Sequence, residues 1–151
     1  MALKNEGSIE IDRPIADVFE YTTTRVADWS LTVIRDEPLQ TVDDGGAGST
    51  FRCVTETNGQ QMEFDGEVIR HEPPNISQSK LTGQMFDIDV LYAFEELNSH
   101  RTRVTQASIV TPKNPAMKVM FRLFGWLMKK SSCSATKLEL ESLKAKLEAA
   151  I

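Results

Sequence analysis

From Val33 to Val110, almost 80 residues alternate apolar and polar side chains, interrupted only by short turn-forming stretches. A period of two marks strands with one face toward a core and the other toward water. The breaks are too short for the crossovers that parallel strands require, so this run must fold as an antiparallel sheet. Within it, Thr50 to Thr57 and Gln61 to His71 flank Asn58-Gly59, whose residues suit the positive φ of a tight hairpin turn. Val33 to Val42 is a further strand, followed by Asp43-Asp44-Gly45-Gly46-Ala47-Gly48. That stretch lacks the Gly-x-Gly-x-x-Gly spacing and a following helix, so it reads as a hairpin loop and not a phosphate cradle. Pro73-Pro74-Asn75 separates Gln61–His71 from a strand over Ile76 to Leu81. Phe86 to Glu95 then places Phe86, Ile88, Val90, Tyr92 and Phe94 on one face, with Asp87, Asp89 and Glu95 on the other. A turn at Asn98-Ser99-His100-Arg101 leads to the last strand, Thr102 to Val110, which Thr111-Pro112 stops.

Helical spacing brackets the strands. Ser8 to Asp12 predicts a short first strand; Pro14 then suits a helix start, and Ile15, Val18, Phe19 and Thr22 follow on one face. Val26 to Leu31 has room for one more short turn of helix, with Trp29 as its large side chain. After Pro115 no proline occurs, and Asn114 to Ala149 predicts one long helix. Its first half puts Met117, Met120, Phe121, Phe124, Leu127 and Met128 on one side and Lys118, Arg122 and Lys129 on a narrow opposite stripe. In its second half Leu140, Leu143, Leu147 and Ile151 fall on the side the cations held. This change of phase predicts a bend near Gly125 or the Ser131-Ser132-Cys133-Ser134 run, or a curved partner. One strand, two short helices, about six more strands and a long helix make an α+β chain with the helix packed on one sheet face.

At 151 residues and 40% hydrophobic content, residues 1–151 fit a single domain. The net charge is −5, and bases are scattered apart from the Lys113 to Lys130 segment, which argues against nucleic acid as a partner. Cys53 and Cys133 have no metal-ligand spacing, so neither a metal nor another cofactor is expected, and a reducing cytoplasm suits them. Neither a signal-peptide core nor a run of membrane-spanning length appears, so a soluble protein is expected. The Lys113 to Lys130 segment offers transient contact with a membrane surface; the plainer alternative is that its cations solvate a core helix. Oligomeric state is left open.

Four pieces in this order resemble the START-like (SRPBCC) superfamily, within it the polyketide cyclase/dehydrase and lipid-transport family. They are Ser8-Ile9-Glu10-Ile11 with Pro14 and Val18-Phe19; Ala27-Asp28-Trp29; Gly48-Ser49-Thr50-Phe51-Arg52; and Thr102-Arg103-Val104-Thr105 ahead of Leu143-Lys144-Ala145-Lys146-Leu147-Glu148. The resemblance implies a helix-grip fold, a curved sheet of about seven strands wrapped around the C-terminal helix with an apolar cavity between them. It also implies a hydrophobic small-molecule ligand such as a lipid, sterol or polyketide-like aromatic, held by a carrier or sensor. The alternative is a cyclase/aromatase or dehydrase-like enzyme acting in the same cavity, and a third reading is an interaction module.

Trp29, Phe51, Phe64, Phe86, Val90, Tyr92, Met117, Phe121 and Phe124 are expected to line a shared core or cavity. Tyr92, Gln106 and Ser108 supply inward polar groups for orienting a ligand. Strand alternation turns only one of Arg70 and His71 inward: Arg70 shares the face of Met62, Phe64 and Val68, unless a bulge at Gly66 brings His71 in. The resemblance to aromatase/cyclases adds interest to this strand end and to Trp29, since those enzymes carry a cationic residue and a Trp there. A strand-end Arg or His is otherwise a solvated side chain. No Ser-His-acid constellation can be built on His71 and His100.

Overall fold

The computed structural model describes residues 2–43 and 45–149. Strand β1 (Leu3–Ile11) is followed by helices α1 (Ile15–Thr24) and α2 (Val26–Trp29). Six strands follow: β2 (Val33–Gln40), β3 (Thr50–Thr57), β4 (Gln60–Glu72), β5 (Ile76–Thr82), β6 (Phe86–Asn98) and β7 (Arg101–Pro112). Helix α3 (Pro115–Ala149) ends the described chain. Among the described residues no helix is long and apolar enough to cross a membrane.

All seven strands form one curved antiparallel sheet in the order β1-β7-β6-β5-β4-β3-β2. The long strands exceed their sequence-predicted limits: β1 begins five residues before Ser8, and β6 and β7 continue to their shared turn. Backbone pairing, which alternation does not report, sets those ends. At the β3–β4 turn Asn58 and Gly59 have φ of 53° and 80°, as a type I′ hairpin requires. The Asp43–Gly48 stretch lies between antiparallel β2 and β3, though Asp44 is outside the described residues.

Pairing fixes the inner face. Asn5, Gly7 and Ile9 of β1 lie opposite Ser108, Gln106 and Val104 of β7, which in turn lie opposite Val90, Tyr92 and Phe94 of β6. Helix α3 packs mainly on β1, at one margin of this face. Its buried side runs through Met117, Phe121, Gly125, Thr136, Leu140, Leu143 and Leu147, with half-buried Met128 and Ser132 in the gaps. Steps of three and four residues keep this seam continuous, and α3 runs as one helix without a break at Gly125 or at the Ser131–Ser134 run. Ile151 lies outside the described residues. A β carbon on Gly7 would sit 3.1 Å from Thr136 Cγ2, which shows how closely β1 and α3 approach.

Most of the buried volume lies at one end, where Ile11, Val18, Phe19, Trp29, Phe94, Val104, Leu140, Leu143 and Leu147 form a single cluster. There α3 is also tied by polar contacts. Glu139 accepts hydrogen bonds from Ser30 Oγ (2.7 Å) and the Leu31 amide (2.8 Å), and Ser142 Oγ donates to the Trp29 carbonyl at 2.6 Å. Lys144 Nζ donates to the Glu10 carbonyl at 2.7 Å. Toward the other end, Leu3, Met117 and Phe121 form a smaller cluster with Phe86, Val110 and Met128 against it. Among the described residues, residues 115–132 make no hydrogen bond to another element.

Candidate functional site: the concave groove

Because α3 covers the β1 margin, the inner face of the middle strands is left as a groove. Phe86, Ile88, Val90 and Tyr92 of β6, with Ser77, Ser79 and Leu81 of β5 opposite the last three, point into it and are only half-buried. On β4, Phe64 and Gly66 carry the inner face onward, and on β3 their partners Cys53 and Phe51 do. The Phe51 ring lies over Gly66, where a β carbon would come within 2.3 Å of it. At the open end a hollow of about 730 Å³ is lined by Phe64, Gly83 and Phe86 and also by Arg52, Glu63 and Asp65, whose side chains belong to the outer face. Phe64 and Phe86 face each other there with ring centroids 5.8 Å apart. A smaller hollow of about 350 Å³ beside Leu39, Asp65, Glu67 and Lys80 opens on the outer side of the sheet.

Gly83 narrows the open end. A β carbon there would meet the Phe64 ring at 2.7 Å and the Phe86 carbonyl at 2.9 Å, and a backbone oxygen cannot rotate aside. Gly83→Ala is therefore expected to destabilise the protein by about 1–3 kcal/mol, read by urea denaturation. A cost below about 0.5 kcal/mol would mean that this loop yields freely.

Polar groups are set into the apolar lining. Gln106 lies opposite Tyr92, and its Oε1 is buried without a hydrogen-bond partner. Asp36 on β2 lies opposite Cys53, and its Oδ1 is likewise buried and unpartnered. Burial raises the Asp36 pKa, and burial followed by the Asp36 charge pushes Cys53 up to about 12. Burial also raises Tyr92, with smaller contributions from Glu139 and Cys53, so these groups share one field. Asp36 has the sign of a folded-state penalty: the unfolded carboxyl releases its proton more readily, so stability falls as pH rises from about 4 through the folded pKa. Asp36→Asn is accordingly expected to melt above the wild type at pH 8, with the advantage disappearing below pH 4, in paired thermal scans. An equal offset at both pH values would remove the carboxylate from this account.

The structure separates the candidate residues. Trp29 is 1% exposed, donates Nε1–H to the Thr22 carbonyl and meets Tyr92 edge-on at 6.2 Å, so its indole N–H is already engaged. Phe64, Met117 and Phe121 are buried; Phe51, Phe86, Val90, Tyr92 and Gln106 are half-buried on the inner face. Two expectations need correction. Phe124 is 53% exposed, because the seam passes through Gly125 and turns Phe124 away from the sheet. Arg70 is exposed and paired with Glu72, because β4 carries an extra residue between Val68 and Arg70. That irregularity, at Ile69 and not Gly66, turns His71 inward, where its ring lies 5.5 Å from Phe19. Asp36 escaped the sequence reading for the same reason: a register shift between Val33 and Arg35 moves it to the inner face.

The sequence matches no protein-family model and no curated protein. Solved structures do match in shape. A START superfamily protein from Mycobacterium smegmatis superposes with a TM-score of 0.83 at 16% identity, over 99% of each chain. The Zhui aromatase/cyclase from Streptomyces sp. R1128 gives 0.75 at 11% identity, over 98% of this chain and 94% of that one. The di-domain aromatase/cyclase StfQ from the steffimycin pathway gives 0.76 at 14% identity, with this chain spanning 52% of its length. Sheet order, helix placement and these superpositions agree: the chain has the helix-grip fold of the START-like (SRPBCC) superfamily.

Proposed function

We propose that this protein binds a hydrophobic small molecule in the groove between the inner sheet face and α3, as a carrier or sensor. The observation that carries this reading is the half-burial of Leu81, Ile88 and Val90, apolar side chains that point inward yet belong to neither of the two clusters packed under the helices. Apolar area left in a concavity gains roughly 25 cal/mol per Å² when a ligand covers it. Gln106 Oε1 and Asp36 Oδ1, buried without partners, suit a ligand that carries hydrogen-bond donors on an otherwise apolar body. Asp36 is also the group on which a cyclase-like reaction would depend, since its raised pKa gives it a proton to transfer nearer neutrality than an ordinary carboxyl has.

Thermal shift against fatty acids, sterols, flavonoids and aromatic polyketides tests the binding reading. A compound at a hundred times its Kd adds about 2.7 kcal/mol, a rise of roughly 5 to 10 °C for a domain this size. Val90→Trp, which fills the groove from the middle of β6, is expected to abolish the shift while its own melting point stays within a few degrees of the wild type. Failure of every compound, together with no copurifying ligand by native mass spectrometry, would sink the reading.

A further inference from the structure

We infer that the first half of α3 is a membrane-docking face for anionic bilayers. The turns from Val119 to Leu127 bury little against the sheet except Phe121 and Gly125, and the outward arc is apolar. Trp126 is 75% exposed and Leu123 62%, with Val119, Met120, Phe124 and Leu127 also exposed. At 100° per residue these six span nearly half the helix circumference, bordered on one side by Lys118, Arg122 and Lys129. Near the helix start Met85 is also exposed, and its carbonyl accepts a hydrogen bond from the Lys113 amide at 3.0 Å.

Charge selects the occupant. Between Glu96 and Glu139 the chain holds eight Lys or Arg and no Asp or Glu, while the remaining residues hold nine bases against 22 acids. Lys118, Arg122, Lys129, Lys130 and Lys137 have no ion-pair partner among the described residues, whereas Arg101, Arg103 and Lys113 are paired within the protein. Protein interfaces usually set their register with charges of both signs. A lipid surface of negative charge excludes only carboxylates, which is the pattern here. A convex apolar arc with a Trp and bordering cations matches an interfacial helix lying in the headgroup layer, and the negative remainder of the molecule would face away. Met85 and Phe86 line the open end of the groove, so docking would bring that end to the lipid.

The inference stands apart from what the groove binds, and its test needs no cargo. The full chain is floated with vesicles of phosphatidylglycerol and phosphatidylcholine in equal parts, and with phosphatidylcholine alone, at low and high salt. Binding to the anionic vesicles is expected, weakened about tenfold or more on neutral vesicles or in high salt. Combined Lys118→Glu, Arg122→Glu and Lys129→Glu should weaken it about a hundredfold, and Leu123→Gln with Trp126→Gln should abolish it. Because all five positions are on the surface, circular dichroism and melting point should stay near wild type. Brominated lipid should quench fluorescence in the wild type, and Trp126→Phe, which leaves only buried Trp29, should remove that quenching. No flotation at low salt would overturn the inference, as would flotation insensitive to the Leu123/Trp126 change. Concentration-dependent dimerisation lost in Trp126→Gln, without vesicle binding, would instead assign the face to a second copy of this chain and overturn it too.

Discussion

Trp29→Ala should destabilise the protein by about 3–5 kcal/mol, lowering the melting temperature by roughly 10 °C or more. Trp29 is the largest of the fully buried side chains and joins three parts of the molecule. Its ring meets Tyr92 of β6, its indole N–H caps the Thr22 carbonyl of α1, and its own carbonyl receives Ser142 Oγ from α3. Truncation leaves a cavity and an orphaned Thr22 carbonyl together, beside Thr22 Oγ1, which already lacks a partner. Trp29→Phe keeps most of the volume and should cost less than half as much. Chemical denaturation of both variants checks the prediction; an alanine cost near 1 kcal/mol would mean that the surrounding side chains collapse into the space.

The second large effect is dynamic. Amide hydrogen exchange along α3 should differ by a hundredfold or more between residues 136–149 and residues 117–128, with the later half slower. Leu140, Leu143 and Leu147 are each at most 2% exposed, and Glu139, Ser142 and Lys144 bond to α2, the loop after it and β1. The earlier half rests on Met117 and Phe121 and, among the described residues, makes no hydrogen bond to another element. Phe121→Ala should speed exchange in residues 117–128 while leaving residues 136–149 nearly unchanged. Uniform protection along the helix would show that α3 opens only as one unit.

These effects explain what the sequence disclosed. Alternation located every strand, and Asn58-Gly59 located the central hairpin, because both report local backbone geometry. The inner face of β6 was legible for the same reason: no irregularity interrupts its pairing from Phe86 to Glu96. Facing failed wherever a single extra residue entered a strand. Ile34 and Ile69 are ordinary strand residues, and nothing in their chemistry announces that the chain shifts phase at each, taking Asp36 and His71 inward. The helix misled differently. Counting large apolar residues follows the exposed arc as readily as the buried one, and the true seam runs through Gly125, Ser132 and Thr136, which such a count passes over. Phe124 lies on the exposed arc that such a count follows.

The close approach of Gly7 to Thr136 gives that seam a mechanical meaning. Along the margin of the sheet where α3 is anchored, Gly7 sits against the Thr136 and Leu140 side chains with no room for a β carbon between them. Phe121 lies 15 residues before Thr136, roughly 22 Å up the helix at 1.5 Å per residue. A methyl group at position 7 that displaced this contact by half an ångström would bear on that far end through the same helix. Gly7 is thus a position from which a single methyl group would alter the spacing between α3 and the sheet.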